Sequence, residues 1–250
     1  AAAAHPARML ALMISDVPGD DPAFIGSGPT VGDGSSPRDA LAVLADWQVP
    51  VPQSVTTALT RPSGVIPPDD PRLSRVENVI YAAPAQSLAA AAALAREAGC
   101  EVEIMGDALE GEAREVASAH AALALSGQAA RPTDAPPLVL LSGGELTVTR
   151  RGDGVGGPNA EYALAFAVAL EGAVGIHAIA CDTDGVDGAA EVAGAIIGPQ
   201  TLVQARAAGV DAADALTRND AHSFFGAIGA QVVTGPTLTN VNDFRVILIE

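Results

Sequence analysis

Three loops in this chain carry side chains that could do chemistry. The first is Gly235-Pro236-Thr237-Leu238-Thr239-Asn240-Val241-Asn242-Asp243, directly before the apolar run Phe244 to Ile249. Thr237, Thr239, Asn240 and Asn242 can bind an oxygen-rich ligand, and so can the N–H groups of a bent segment. The second is Asp182-Thr183-Asp184-Gly185-Val186-Asp187-Gly188. Carboxylates at this spacing can hold Mg²⁺, which takes a few carboxylates plus waters and substrate phosphates. Aspartates also build turns by bonding their own backbone, and the sequence leaves both readings open. An EF-hand is excluded, because Ala193 stands where the bidentate Glu belongs. The third loop is Ser142-Gly143-Gly144-Glu145, read as a turn whose glycines let the backbone approach a ligand. A tight strand–strand turn would look the same.

Weaker signals surround these. The glycine loop Gly152 to Gly157 is read as neither a P-loop nor a dinucleotide fingerprint. It leads into Pro158-Asn159, a helix start whose free N–H groups favour an anion. Glu161, in that first turn, either caps the helix or contributes to the site. Asp16, Asp20 and Asp21 lie near Ser27-Gly28-Pro29-Thr30, where turn chemistry is again the plainer reading. His5, His120, His177 and His222 lack ligand spacing, so no zinc site is expected. There is no GxSxG elbow to support serine hydrolase chemistry.

Strands and helices alternate around these loops. Strands are expected at Met9 to Ile14, Asn78 to Ala82, Glu101 to Met105, Leu138 to Leu141, Ile176 to Ala180, Gln231 to Thr234 and Phe244 to Ile249. Helices are expected from Ser36-Pro37 to Asp46, and over Gln53 to Leu59, Ser87 to Gly99, Gly111 to Leu125, Asn159 to Leu170, Thr201 to Ala208 and Asp220 to Gly229. The pattern implies an α/β fold of two three-layer domains with mostly parallel sheets. Pro62, Pro67, Pro68 and Pro71 mark a linker over Arg61 to Arg72. The expected domains are 1–72, part of a first, Rossmann-like unit, and 73–250. In open α/β sheets, loops at the carboxyl ends of strands build ligand sites. A small polar ligand, in particular a phosphorylated one, is therefore expected.

Composition narrows the partners. The 250 residues carry a net charge of −17, which disfavours nucleic acid and anionic membranes. All 13 basic residues are Arg, so no lysine within this chain can serve as a P-loop, Schiff-base or general-base group. The two cysteines, Cys100 and Cys181, form no CxxC, and a reduced, cytoplasmic protein is expected. No apolar run reaches membrane-spanning length. Ala1 to Ala4 shows no charged leader segment, and a strand so close to a start without Met suggests that the natural protein extends further upstream.

The ordered set of motifs is specific in combination. Ser15-Asp-Val-Pro-Gly-Asp-Asp21, Ser27-Gly-Pro-Thr30, Leu109-Glu-Gly-Glu-Ala-Arg-Glu115, Leu141-Ser-Gly-Gly-Glu145, Gly156-Gly-Pro-Asn159, Asp182-Thr-Asp-Gly-Val-Asp-Gly188, Asn219-Asp220 and Thr234-Gly-Pro-Thr-Leu-Thr-Asn-Val-Asn-Asp243 follow one another. Together they resemble the type II glycerate kinases, the MOFRL region being about 137–250. Some members carry the older label hydroxypyruvate reductase. The resemblance implies two α/β domains with a site in the cleft, ATP and Mg²⁺ as cofactors, and D-glycerate phosphorylated to 2-phosphoglycerate. It assigns Asp182, Asp184, Asp187, Asn159 and Glu161 to catalysis, with Asp182 and Asp184 on the metal. Ser142, Gly143, Gly144, Glu145, Ser27, Gly28, Thr30, Asn219, Thr237, Thr239, Asn240 and Asn242 would hold glycerate or nucleotide. A homodimer is the candidate assembly.

Two departures stand out. The family's upstream glycine-rich segment and functional lysine are not in this chain, and Pro158 replaces the arginine of the usual Gly-Gly-Arg-Asn-Gln-Glu pattern. Arg150 or Arg151 could substitute for it. A nicotinamide-dependent hydroxypyruvate reductase is the alternative, disfavoured for want of a fingerprint and an evident His–acid pair. A non-catalytic paralogue that binds sugar acid or nucleotide is the third reading, and Pro158 is its best support.

Overall fold

Helix α1 (Pro37–Asp46) starts where its chemistry dictates. The Asp39 N–H donates to the Ser36 hydroxyl and the Ser36 N–H donates to the Asp39 carboxylate, a reciprocal capping box with Pro37 at the first helical position. The computed structural model describes residues 1–61 and 64–250; Pro62, part of the expected linker, lies outside them with Ser63. The chain divides into two units, Ala1–Met13 with Asp20–Tyr81, and Ile14–Gly19 with Ala82–Glu250.

The first unit contains α1, α2 (Gln53–Leu59) and all but the last residue of each strand of a two-stranded sheet, β1 (Met9–Ile14) and β2 (Val76–Ala82). The Met9 N–H donates to the Arg75 carbonyl, and at the strands' far ends the Ser15 N–H donates to that of Ala82, so the two strands run the same way.

The second unit is a six-stranded sheet with helices on both faces. Its elements are α3 (Pro84–Glu97), β3 (Glu101–Glu112), α4 (Ala113–Ala130), β4 (Leu138–Thr147), α5 (Pro158–Leu170), β5 (Ile176–Asp182), β6 (Gly194–Ile197), α6 (Thr201–Ala207), α7 (Ala212–Thr217), α8 (Ala221–Ala227), β7 (Gln231–Val232) and β8 (Asp243–Ile249). The strand order is β3-β4-β8-β5-β6-β7. The α/β architecture is as expected, but the pairing is mixed. Only β3–β4 is parallel; β4–β8, β8–β5, β5–β6 and β6–β7 are antiparallel. The cause is connectivity. The segment from β5 to β6 contains no helix to carry the chain back across the sheet, so β6 returns alongside β5. The carboxy-terminal β8 then inserts between β4 and β5.

On one face Leu88 and Ala92 of α3 pack over Val139 and Leu141, with Phe244, Val246 and Leu248 beside them. On the other, Ala113, Ala117, Ala121 and Ala124 form a stripe along α4 at helical spacing. This slim stripe shares a core with α5, which buries Tyr162, Leu164 and Phe166 and almost every other side chain it carries. A helix apolar on all sides belongs inside a domain.

The sheet overturns one expected turn. Ser142–Glu145 is uninterrupted strand, paired with β3 through Gly106↔Ser142, Leu109↔Gly144 and Glu110↔Glu145, and with β8 through Ser142↔Arg245, Gly143↔Phe244 and Gly144↔Asp243. β3 itself runs on to Glu112, past the expected end at Met105, with register shifts on either side of Gly106. Gly144 holds φ at +107°, and any Cβ there would overlap the Leu109 backbone. The glycine admits a neighbouring strand. β6 and α7 had no clear sequence signal; each is six residues or shorter.

Candidate active site

Two strand ends meet beside β4. Asp182 closes β5, Asp243 opens β8 directly opposite it, and Gly144 of β4 pairs with Asp243 on the other side. Past β5, Asp182 accepts a hydrogen bond from the Asp184 N–H (2.9 Å), and Asp184 accepts one from the Val186 N–H (2.7 Å). The two aspartates thus build successive turns while staying partly exposed.

The Thr/Asn segment lies against this loop. The Thr237 N–H donates to the Asp184 carbonyl, its hydroxyl donates to the Thr183 carbonyl (2.6 Å), and the Asn240 amide reaches Asp184 Oδ2 at 3.4 Å. Asn240 Oδ1 accepts from the Asn242 N–H. So Thr237 and Asn240, expected to hold ligand, spend hydrogen bonds on shaping the segment. Thr239 is exposed, while Asn242 is buried at φ +62° with Nδ2 unpartnered.

Asp187 has a different job from its two neighbours. It is 1% exposed and caps α5: Oδ1 accepts from the Asn159 N–H (2.9 Å) and Oδ2 from the Ala160 N–H (2.8 Å). His222 Nε2 lies 3.2 Å from the same carboxylate. Gly157 is required here, since a Cβ would overlap Asp187. Both carboxylate oxygens of Asp187, expected to take part in catalysis, thus accept hydrogen bonds from the start of α5.

Asn159 bridges two buried carboxylates. Its Nδ2 donates to Asp243 Oδ1 (2.6 Å) and approaches Asp187 Oδ1 (3.4 Å), leaving Oδ1 buried and unpartnered. Asp243 Oδ2 accepts from the Leu146 N–H and from Arg245. Arg245 also donates to the Gly143 carbonyl (2.9 Å), approaches the Ser142 hydroxyl (3.4 Å) and stands over the Tyr162 ring at 5.7 Å. Ser142 is thus wholly interior, contrary to the expectation of a ligand-lining turn.

Glu161 is likewise internal. Arg114 pairs with it, and the Asn219 amide donates to the same oxygen at 3.1 Å. Asn219 Oδ1 accepts from the N–H groups of Arg151 (2.7 Å) and Gly152 (3.0 Å), and Asp220 accepts from that of Val155. These side chains fasten the glycine loop in place. Gly152, Gly154 and Gly157 are in fact spaced as GxGxxG, but the first two lie against the backbone of Arg218 and Asp220, so their missing side chains make room for protein. The His–acid pair sought for a reductase also exists, as His222 and Asp187, both shut away from solvent behind the start of α5.

Negative charge concentrates at the strand ends. Burial, reinforced by the Asp184 and Asp243 charges, pushes Asp182 up to about 7 against the pull of the Asp184 N–H. Burial also raises Asp243, although Arg245 and Asn159 act to lower it. Glu145 is raised by burial and by Asp243, Asp16 and Glu110. Among the described residues no three His, Cys, Asp or Glu side chains form a ready metal site. Asp182 and Asp184 offer the hard oxygens that suit Mg²⁺, with waters and phosphate oxygens needed to complete the shell. Ser27, Gly28 and Thr30 belong to the first unit, where Gly26, Ser27 and Gly28 form a left-handed run and the Thr30 hydroxyl is buried without a partner.

Thr183, Asp243, Arg245 and His222 were not singled out from sequence. Arg245 had a readable signal, a charge inside an apolar strand, which implies a buried partner.

The MOFRL family model matches residues 138–243, and a domain of unknown function, DUF4147, matches residues 1–60. A protein of Agrobacterium vitis named "Putative hydroxypyruvate reductase" is 48% identical over 253 residues, covering 100% of this chain and 57% of its own length. The glycerate kinase of Macaca fascicularis is 33% identical, covering 100% of this chain and 74% of its own. The crystal structure of glycerate kinase from Thermotoga maritima superposes with a TM-score of 0.85 at 37% identity, over 98% of this chain and 58% of that one. The chain spans little more than half the length of several such relatives. On these similarities the chain belongs to the glycerate kinase family that carries the MOFRL domain.

Proposed function

We propose that the protein to which this chain belongs transfers the γ-phosphate of ATP to D-glycerate, giving 2-phosphoglycerate. The observation that carries this reading is the meeting of the aspartate loop and the Thr/Asn segment at the ends of β5 and β8, in a chain of the glycerate kinase family. Phosphoryl transfer asks a protein chiefly to position two substrates and neutralise charge. Asp182 and Asp184 would hold Mg²⁺, which would supply positive charge to offset that of the carboxylates and the phosphates. Glu145 and Thr239, both exposed, would meet glycerate or nucleotide. Asn159, Glu161, Asp187 and Asn219 would support the site from within. Among the described residues no helix is long and apolar enough to cross a membrane, and a cytoplasmic location accords with this chemistry.

The test is to incubate the full-length protein with ATP, D-glycerate and Mg²⁺ and assay the product. 2-Phosphoglycerate that disappears on chelating Mg²⁺ supports the reading, and none under any condition rejects it. NADH oxidation with hydroxypyruvate is the control, since the glycine loop and the His222–Asp187 pair are both committed to the fold.

A further inference from the structure

One residue between Asp182 and Asp184 spends its N–H, carbonyl and hydroxyl on hydrogen bonds within the protein. Thr183 follows β5 directly. Its N–H donates to the Asn242 carbonyl (3.3 Å), and its hydroxyl donates to that same carbonyl (2.8 Å). The same hydroxyl oxygen accepts from the Val241 N–H (2.9 Å), and its carbonyl accepts from the Thr237 hydroxyl (2.6 Å). Both ends of the Thr237–Asn242 segment therefore end on a single side chain and its backbone.

The second tie lies deeper. Asn159, at the start of α5, spans Asp187 at the far end of the aspartate loop and Asp243 just after the Thr/Asn segment. Besides the contacts of Thr237 and Asn240 with Asp184, the loop and the segment are fastened at the outside by Thr183 and underneath by Asn159. The segment's internal bonds, such as the Asn242 N–H to Asn240 Oδ1, are supplemented from outside. Leu238 and Asn242 both sit at positive φ, a conformation that costs non-glycine residues energy and persists only where surroundings impose it.

We propose that Thr183 is a positioning residue that clamps the Thr237–Asn242 segment onto the aspartate loop, so that the two act as one rigid wall for the phosphorylated substrate. Thr183 touches no reacting atom in this account. Its hydroxyl fixes the distance between Asp184 on one strand-end turn and Asn240 and Asn242 on the other. Loss of contacts that hold a substrate equally in the ground and transition states raises KM and leaves kcat nearly unchanged. This rests on the kinase reading of the site, but the clamp can be tested without it.

The experiment compares Thr183→Val, which keeps the shape and removes the hydroxyl, with Thr183→Ser, which keeps the hydroxyl. Hydrogen–deuterium exchange on the full-length protein without ligand reads the clamp. Thr183→Val should speed exchange in both 182–188 and 237–242, with α5 and β4 unchanged and Thr183→Ser close to wild type. Steady-state kinetics with ATP and D-glycerate read the function. KM for at least one substrate should rise about tenfold in Thr183→Val with kcat changed far less, and Thr183→Ser should restore it. Should Thr183→Val fail to fold, Thr237→Val removes one exposed tie and should raise exchange in 182–184 and KM in the same sense. Unchanged exchange in both segments, or equal losses in the Val and Ser variants, overturns the proposal. Wild-type protein without turnover on D-glycerate overturns the kinase reading, while the exchange comparison still decides the clamp.

Discussion

The Arg245 guanidinium lies 2.8 Å from the Asp243 carboxylate, and both side chains are almost wholly shielded from water. Breaking such a pair from one side leaves an uncompensated charge in the interior. Arg245→Met should destabilise the protein by about 3–5 kcal/mol. The double variant Asp243→Asn with Arg245→Met should cost less than the two single changes added together. Urea unfolding of all four forms measures this; strict additivity would mean that the pair is not coupled.

His222 makes stability depend on pH. Burial lowers its pKa, but the hydrogen bonds it donates to the Asp187 carboxylate and carbonyl, together with that carboxylate's charge, outweigh burial, and the net shift is upward. The folded state therefore binds the proton more tightly than the unfolded chain. This contribution is full below the unfolded value of about 6.5 and is lost as pH rises through the folded value. Wild type should lose more unfolding free energy between pH 6 and pH 8.5 than His222→Gln. Parallel curves for the two proteins would contradict the assignment.

Asp182 acts in the same direction from the acid side. Its pKa is raised to about 7, chiefly by burial, so its contribution is present below the usual carboxylate range and fades as pH climbs through 7. In metal-free buffer at pH 8, Asp182→Asn should be more stable than wild type by on the order of 1 kcal/mol, allowing for solvent screening at this half-exposed site. The gain should vanish near pH 4. A variant less stable than wild type at pH 8 would refute the repulsion described for the strand ends.

Gly144→Ala and Gly143→Ala separate close approach from mere flexibility. Gly144 combines positive φ with backbone in the way of a Cβ, whereas at Gly143 the nearest atom, the Asp243 carbonyl oxygen, would lie 3.3 Å away. Gly144→Ala should cost about 3 kcal/mol or more, and Gly143→Ala clearly less. Thermal melts of both variants check the order; equal losses would place the constraint elsewhere.

How far the sequence could be read depended on the range of the interactions involved. The Ser36-Pro37 helix start is local, and its capping box forms as the residue types imply. The apolar run Phe244 to Ile249 is a strand for the same reason, its pattern being complete within the segment. Ser142–Glu145 misleads because a glycine pair reads alike whether it turns the chain or admits a neighbour, and the neighbour, Leu109, is remote in sequence. Sheet direction was equally hidden, since alternation of strands and helices says nothing about which strand β8 will slip beside. At the candidate site the polar loops were visible. Which of their carboxylates face outward was not: Asp184 and Asp187 look interchangeable in sequence, yet only Asp187 meets the start of α5.

Helix α5 is enclosed along nearly its whole length, with Asp187 and Asn159 anchoring its first turn. Sliding or rotating it would open the core on several sides at once. Any rearrangement that accompanies substrate capture must then be carried by the segments around it. The helix is accordingly the natural origin of coordinates for comparing liganded and empty states, against which movement of the surrounding turns can be measured.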